Sequence, residues 1–209
     1  MRKDKMSLKW IEWTQKLQAI AQNGITYTKD KYDLERYYQL QEITAEIVAD
    51  HTGHDFQKIK DYMNRETGYA TPKIDVRGVV FRGKKILLVR EEADKLWTLP
   101  GGWADIHQSP GENVEREVYE ESGYHVKAVR LLAVYDRNRH GHIPAYPQYV
   151  YKMFFRCKIT GGGPKPGPET SEVGFFESGN LPDLSVARVT ARQIMRMAEL
   201  KDMNITDFD

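Results

Sequence analysis

The apolar positions of this chain follow two different periods. Up to about residue 65 they recur every three to four residues. Trp10, Trp13, Leu17 and Ile20 share a helical face that Ser7 can cap and Asn23-Gly24 can end. Leu34, Tyr37, Leu40, Thr44, Ile47 and Val48 form a second stripe, opened by Asp33 and closed near Gly53. Phe56, Ile59 and Met63 mark a short third helix over residues 55–65. Such a helical hairpin needs a partner for its apolar faces, either the rest of the chain or a second subunit.

Thr71-Pro72 interrupts this pattern, because the residue before a proline avoids the helical region. Beyond it the runs are those of strands. Residues 74–81 and 85–89 flank the Arg82-Gly83 turn as a hairpin, and 96–99 is a short apolar run ending at Pro100-Gly101-Gly102. A helix is predicted over 110–122. Strands follow at 127–135 and 149–159, separated by a polar loop at 136–148. A Gly/Pro-rich turn at 161–168, a strand at 173–176 and a helix at 185–197 complete the reading. Strands interspersed with two helices predict an α/β (α+β) sandwich rather than a regular βαβ array. The division falls at Thr71: a helical extension over 1–71 and an α/β domain over 72–209.

Composition narrows the class. Of 209 residues 40% are apolar and 11% aromatic, enough for a packed core. Thirty-one Lys and Arg against 30 Asp and Glu leave a net charge of +1, which argues against nucleic acid as the partner. No apolar run approaches the ~20 residues of a membrane span. The single cysteine, Cys157, excludes an intramolecular disulfide and fits a reducing, cytoplasmic setting.

The near-neutral total conceals a local imbalance. Residues 1–72 balance, whereas 73–100 and 125–209 each carry +3. Residues 101–124 carry −5, with Asp105, Glu112, Glu115, Glu117, Glu120 and Glu121 facing only Arg116. Ser109-Pro110-Gly111-Glu112 has the form of a capped helix start with a capping box, and Gly123 stands where a left-handed C-cap belongs. Glu117, Glu120 and Glu121 then share one face, spanning roughly 100° of the helix. An exposed acidic face with Arg116 paired to Glu120 is the plain reading of an isolated pattern of this kind. Three gathered carboxylates otherwise call for a hard divalent cation, Mg²⁺ or Mn²⁺.

The wider spacing selects between these readings. The stretch from Gly102 to Tyr124 resembles the Nudix box, GX5EX7REUXEEXGU, at Gly102, Arg116, Glu117, Val118, Glu120, Glu121 and Gly123. Leu96-Trp-Thr-Leu-Pro-Gly-Gly before it, and Glu169-Thr-Ser-Glu-Val-Gly-Phe-Phe with Leu181-Pro182 after it, are similar to the same family. The stretch from Trp10 to Glu46 resembles the helical extension of a bacterial Nudix branch described as ADP-ribose or CDP-choline pyrophosphatases. The resemblance implies an α/β/α sandwich with a mixed sheet. It also implies a Mg²⁺- or Mn²⁺-dependent hydrolysis of a nucleoside diphosphate linked to a second group X. A sensing domain without turnover and an RNA-processing enzyme are the alternatives.

The resemblance assigns the metal to Glu117, Glu120 and Glu121 with the Gly101 carbonyl, and a positioning role to Arg116. The general base is Glu117 or a downstream carboxylate, Glu169 or Glu172, of which Glu172 matches better. Arg137, Arg139, His140 and His142, with Lys152 beyond them, suggest a cationic lip gripping a diphosphate, and Trp103 a surface for stacking. A homodimer through the helical extension or a strand edge is expected. One position departs from the box: Gln108 stands where the pattern has Glu, which puts the anchoring of Arg116 in question.

Overall fold

The structure, a computed structural model, describes residues 9–144 and 146–209. It divides into two compact units. One runs to Pro72 and takes in the short segment ending at Tyr149; the other comprises Lys73–Pro144 and Val150–Asp209.

The first unit is helical: α1 (Lys9–Tyr27), α2 (Lys31–Thr52) and α3 (Phe56–Asn64). Its small core is Ala45, Val48 and Met63, with Trp10, Phe56 and Ile59 packed against it. Trp10 stacks on His51 at 4.6 Å. Helix α1 continues through Asn23-Gly24, which do not end it. Gly24 sits against the Tyr37 ring, where a Cβ would lie 2.3 Å from Cδ1, so this glycine permits close helix packing. The cap of α2 is Asp30 rather than Asp33: its carboxylate accepts the N–H groups of Tyr32 and Asp33. Asp33 instead pairs with Arg36 at 2.6 Å. Asp55 caps α3 through the N–H of Lys58. The Ser7 cap expected for α1 lies outside the described residues.

The second unit is a mixed sheet with a helix on each face. Its elements are β1 (Lys73–Arg82), β2 (Lys85–Glu91), β3 (Trp97–Thr98), α4 (Pro110–Ser122), β4 (Tyr124–Asp136), β5 (Val150–Gly162), β6 (Thr170–Glu177), α5 (Ala191–Leu200) and β7 (Asp207–Phe208). The strand order is β3-β2-β1-β5-β4-β7, with β6 also paired to β2. Strands β1 and β5 run parallel, from Lys73 opposite Val150 to Val80 opposite Cys157. Strand β4 is antiparallel to β5, and β7 lies parallel along β4. The β1–β2 hairpin pairs only near its turn, after which β2 diverges to join β3 and β6.

Side-chain alternation along β1 separates two cores. Val79 joins Leu88, Leu99, Leu132 and Phe154 beneath Ile194, Met197 and Leu200 of α5. Val76 and Val80 join Leu87 and Phe155 beneath Val114 and Val118 of α4. Val114 and Val118 are fully buried, each contributing about 1.5–3 kcal/mol, and this anchors α4 to the sheet. Helix α5 begins at Ala191, capped by Thr190 and Gln193, rather than at residue 185. The Ser185 N–H instead donates to the Trp97 carbonyl of β3, Leu184 bridges to Trp97, and the Ser185 carbonyl accepts the N–H groups of Arg188 and Val189 in a turn that precedes the helix.

Candidate active site

Helix α4 is built as its sequence demands. The Ser109 hydroxyl accepts the Glu112 N–H at 3.2 Å while the Glu112 carboxylate accepts the Ser109 N–H at 2.7 Å. Gly123 closes the helix in the left-handed region, φ 74°. Between these caps, Val114 and Val118 face the sheet and the Glu117/Glu121 side turns toward the Pro100-Gly101-Gly102 turn. That turn lies along β1 through the bonds Val76 N–H to Gly102 O and Gly78 N–H to Pro100 O, both 2.8 Å.

Gly101 adopts φ 140°, and a Cβ there would stand 2.0 Å from the Val76 carbonyl oxygen. Only glycine fits this position. Its N–H donates to Glu121 Oε2 at 2.9 Å. Glu117 Oε2 lies 2.9 Å from where a Cβ on Gly102 would stand. The two carboxylates thus close on the paired glycines from the helix side.

Arg116 spreads over the remaining acceptors. Its Nε donates to Gln108 Oε1 at 3.2 Å and one terminal nitrogen to Glu120 Oε2 at 2.7 Å. The other terminal nitrogen meets Asp105 Oδ2 at 2.8 Å and Glu117 Oε1 at 2.9 Å. Gln108 therefore still anchors the guanidinium, with a neutral oxygen.

The electrostatics favour a cation here. Burial raises the pKa of Glu117, and the neighbouring Glu120 adds to the rise against the pull of Arg116. Burial pushes Glu121 up to about 8; Glu91 and Glu117 raise it further, while Arg77 and the Gly101 N–H oppose them. Two carboxylates strained toward their neutral forms, with a third beside them, make an oxygen donor set suited to a hard divalent ion. Among the described residues no three acidic, His or Cys side chains converge as a cage, and Arg116 pairs with both Glu117 and Glu120. For Glu120 to share a cation with Glu117 and Glu121 it would have to leave Arg116.

Beneath the turn lies a buried ionic network that the periodicity did not reveal. Arg77 forms a two-pronged pair with Asp75, at 2.9 and 2.7 Å, and donates to the Leu99 carbonyl at 3.0 Å. Lys152, directly across on β5, donates to Asp75 at 2.6 Å. Asp75 is held near 2, below the usual carboxylate range, by Arg77 and Lys152 against the cost of burial. Burial, together with Arg77 and Arg137, lowers Lys152, with Asp75 opposing. Asn113, 1% exposed, is another residue missed from sequence: it exchanges bonds with the Asp105 backbone and accepts Arg116 at 3.4 Å. The one signal in the sequence was a charged pair, Asp75 and Arg77, spaced two apart in an otherwise apolar strand.

The expected cationic lip is not assembled as such. Lys152 is 2% exposed and committed to Asp75 because strand pairing turns it into the interior. Arg137 is also buried and donates to the carbonyls of Pro144 and Ala187. His140 stacks on Tyr135 and pairs with Asp209, whereas Arg139 stays exposed near Asp136. His142 is buried, with Nδ1 on the Val186 carbonyl. Trp103 is 47% exposed and its backbone bridges to Asp75 beside the glycine turn. Glu172 of β6, directly opposite Arg90 of β2, forms an ion pair with it at 2.5 Å.

A mixed sheet between two helices, with an acidic helix clasping a Gly-Gly turn, defines a Nudix hydrolase. The NUDIX domain profile matches residues 71–197, and the chain belongs to that family. Residues 8–63 match the family described as a UDP-X-like, N-terminal oligomerisation domain. The Bacillus subtilis protein YjhB, named provisionally as an ADP-ribose pyrophosphatase, is 48% identical over 91% of both chains. A crystal structure of a UDP-X diphosphatase superposes with TM-score 0.63 at 32% identity, covering 97% of this chain and 99% of that one. An ADP-ribose pyrophosphatase from Streptococcus suis gives TM-score 0.60 at 41% identity, over 66% of this chain and all of the other. The enzyme class that follows is a pyrophosphatase acting on phosphoric anhydride bonds.

No helix among the described residues is long and apolar enough to cross a membrane.

Proposed function

We propose that this protein hydrolyses a nucleoside diphosphate linked to a second moiety, with ADP-ribose the first substrate to test and CDP-choline and UDP-sugars next. The observation that carries the reading is the closure of Glu121 on the Gly101 N–H with Glu117 against Gly102, which gathers carboxylates at one turn. Glu117, Glu120 and Glu121, with the Gly101 carbonyl, would hold Mg²⁺ or Mn²⁺. The ion supplies charge neutralisation of the diphosphate and a more acidic water. Water adds to one phosphorus, the bridging P–O bond breaks, and a nucleoside monophosphate and phospho-X are released. Arg116 positions Glu117 and Glu120 through its fork.

Glu117 is the proton acceptor in this reading, since it is half-buried at the turn and ready to be charged by a nearby cation. Glu172 would first have to leave Arg90. The grip on the substrate falls to Trp103, Arg139 and His140, the members of the expected set that lie nearest the surface. A free, buried Cys157 agrees with a reducing cytoplasm. Trp13, Ile20 and Tyr27 are exposed and seven residues apart along α1, a stripe that supports a homodimer through the helical extension.

Phosphate release from a panel of nucleoside diphosphate derivatives, with Mg²⁺ and an auxiliary phosphatase, tests the proposal. Binding of panel members without turnover of any would instead favour a sensing role.

A further inference from the structure

The Nudix-box position held by Gln108 lacks a negative charge, yet Arg116 is not short of one. Its terminal nitrogen meets Asp105 Oδ2 at 2.8 Å, three residues earlier in the same loop. Of the three carboxylates on Arg116, Glu117 and Glu120 are those a cation would claim. Asp105 is the one left to Arg116 when they turn to metal. Without it, a guanidinium with only the neutral Gln108 oxygen would oppose the incoming ion as a like charge.

The placement of Asp105 is built rather than incidental. Its backbone N–H donates to Asn113 Oδ1 at 2.8 Å, and its carbonyl accepts Asn113 Nδ2 at 3.2 Å. The same Nδ2 reaches the carbonyls of Gln108 and Ser109 at 3.2 and 3.3 Å. Asn113 thus fastens the loop to α4 at both ends, and His107 takes up a left-handed turn, φ 65°, between them. An isolated exposed ion pair contributes little, but a carboxylate fixed by its own backbone and shared within a network has less freedom to lose.

We propose that Asp105 is a positioning residue that replaces the missing box carboxylate. It holds the charge of Arg116 so that Glu117 and Glu120 can turn to a divalent ion. This rests on the hydrolase reading for its catalytic consequence, though not for its effect on metal binding.

The test compares the full-length protein with Asp105→Asn, Gln108→Glu and the double variant. Two quantities are read: Mn²⁺ affinity by calorimetric titration, and kcat and KM on whichever panel substrate is turned over. Asp105→Asn is expected to weaken Mn²⁺ binding and lower kcat roughly 10-fold, the usual scale for a residue supporting metal ligands, with KM little changed. Adding Gln108→Glu should restore either loss to within about threefold of the parent, because it returns the charge to Arg116 from the box position. A loss in either quantity that Gln108→Glu restores supports the proposal. Overturning it takes an Asp105→Asn protein equal to the parent in both quantities, or a loss that Gln108→Glu leaves unrepaired. If the parent turns over nothing, the hydrolase reading falls, and Mn²⁺ affinity alone still decides the role of Asp105.

Discussion

The N–H of Gly101 and the carboxylate of Glu121 lie 2.9 Å apart, and that bond joins the glycine turn to the acidic helix. Glu121 is 7% exposed, so its charge needs more compensation than the Gly101 N–H and the nearby Arg77 charge supply. Replacing Glu121 with Gln keeps an acceptor for the Gly101 N–H and removes the charge. The variant should fold, with a melting temperature equal to or above that of the metal-free parent, and lose roughly 100-fold or more in rate. Circular dichroism melts beside initial rates check this. A rate close to the parent's would refute the assignment of Glu121 to the metal.

Arg77 supports the same turn from below. Changing it to Met leaves Asp75 buried with Lys152 as its remaining counter-charge and takes from the Leu99 carbonyl the shorter of its two side-chain donors. Breaking such a buried pair costs about 3–5 kcal/mol. Denaturant titration should show that loss. Arg77→Lys, which keeps the charge without the fork, should fall between the two.

His142 predicts part of the acid sensitivity. Burial, with Lys152 and Arg137 nearby, lowers its pKa to about 3 from an ordinary 6.5; the Val186 carbonyl and Asp75 oppose this. Between those values the unfolded chain binds a proton that the folded one refuses. The contribution of His142 to stability therefore falls as pH drops from 6.5 toward 3, by at most about 1.4 kcal/mol per pH unit, opposite in sign to that of Glu121 above its ordinary value. His142→Asn keeps a donor for Val186 and should flatten that limb. The loss below about pH 4 that belongs to Asp75, whose pKa is depressed to about 2, should persist in both proteins. Parallel stability curves for parent and variant from pH 6.5 to 4 would exclude His142 as the source.

The stripe of Trp13 and Ile20 on α1 predicts the assembly. Trp13→Glu with Ile20→Glu places two charges on a face that is already 56% and 54% exposed, so the helix itself should survive. Light scattering coupled to gel filtration should then report a dimer for the parent and a monomer for the double variant. An unchanged mass would place the interface elsewhere.

What was legible in the sequence was local. The Ser109–Glu112 box, the Gly123 cap and the Glu117–Glu121 face are all written within fifteen residues, and α4 follows them closely. The buried network was not legible, because Asp75 meets Lys152 only through parallel strand pairing across most of the second unit. For the same reason Lys152 and Arg137 read as surface cations and proved to be interior ones. Gly24 read as a stop because the tyrosine that packs on it stands thirteen residues further along the chain. The two-residue strand β7 carries too little pattern of its own to be seen.

The most direct test of the central claim is ADP-ribose hydrolysis followed by product analysis, with Mg²⁺ and with the ion chelated. Metal-dependent release of AMP and ribose 5-phosphate by the parent, falling roughly 100-fold in Glu121→Gln, is the result expected. Hydrolysis that continues at the same rate in the chelated sample, or in Glu121→Gln, would contradict a metal centre built on α4.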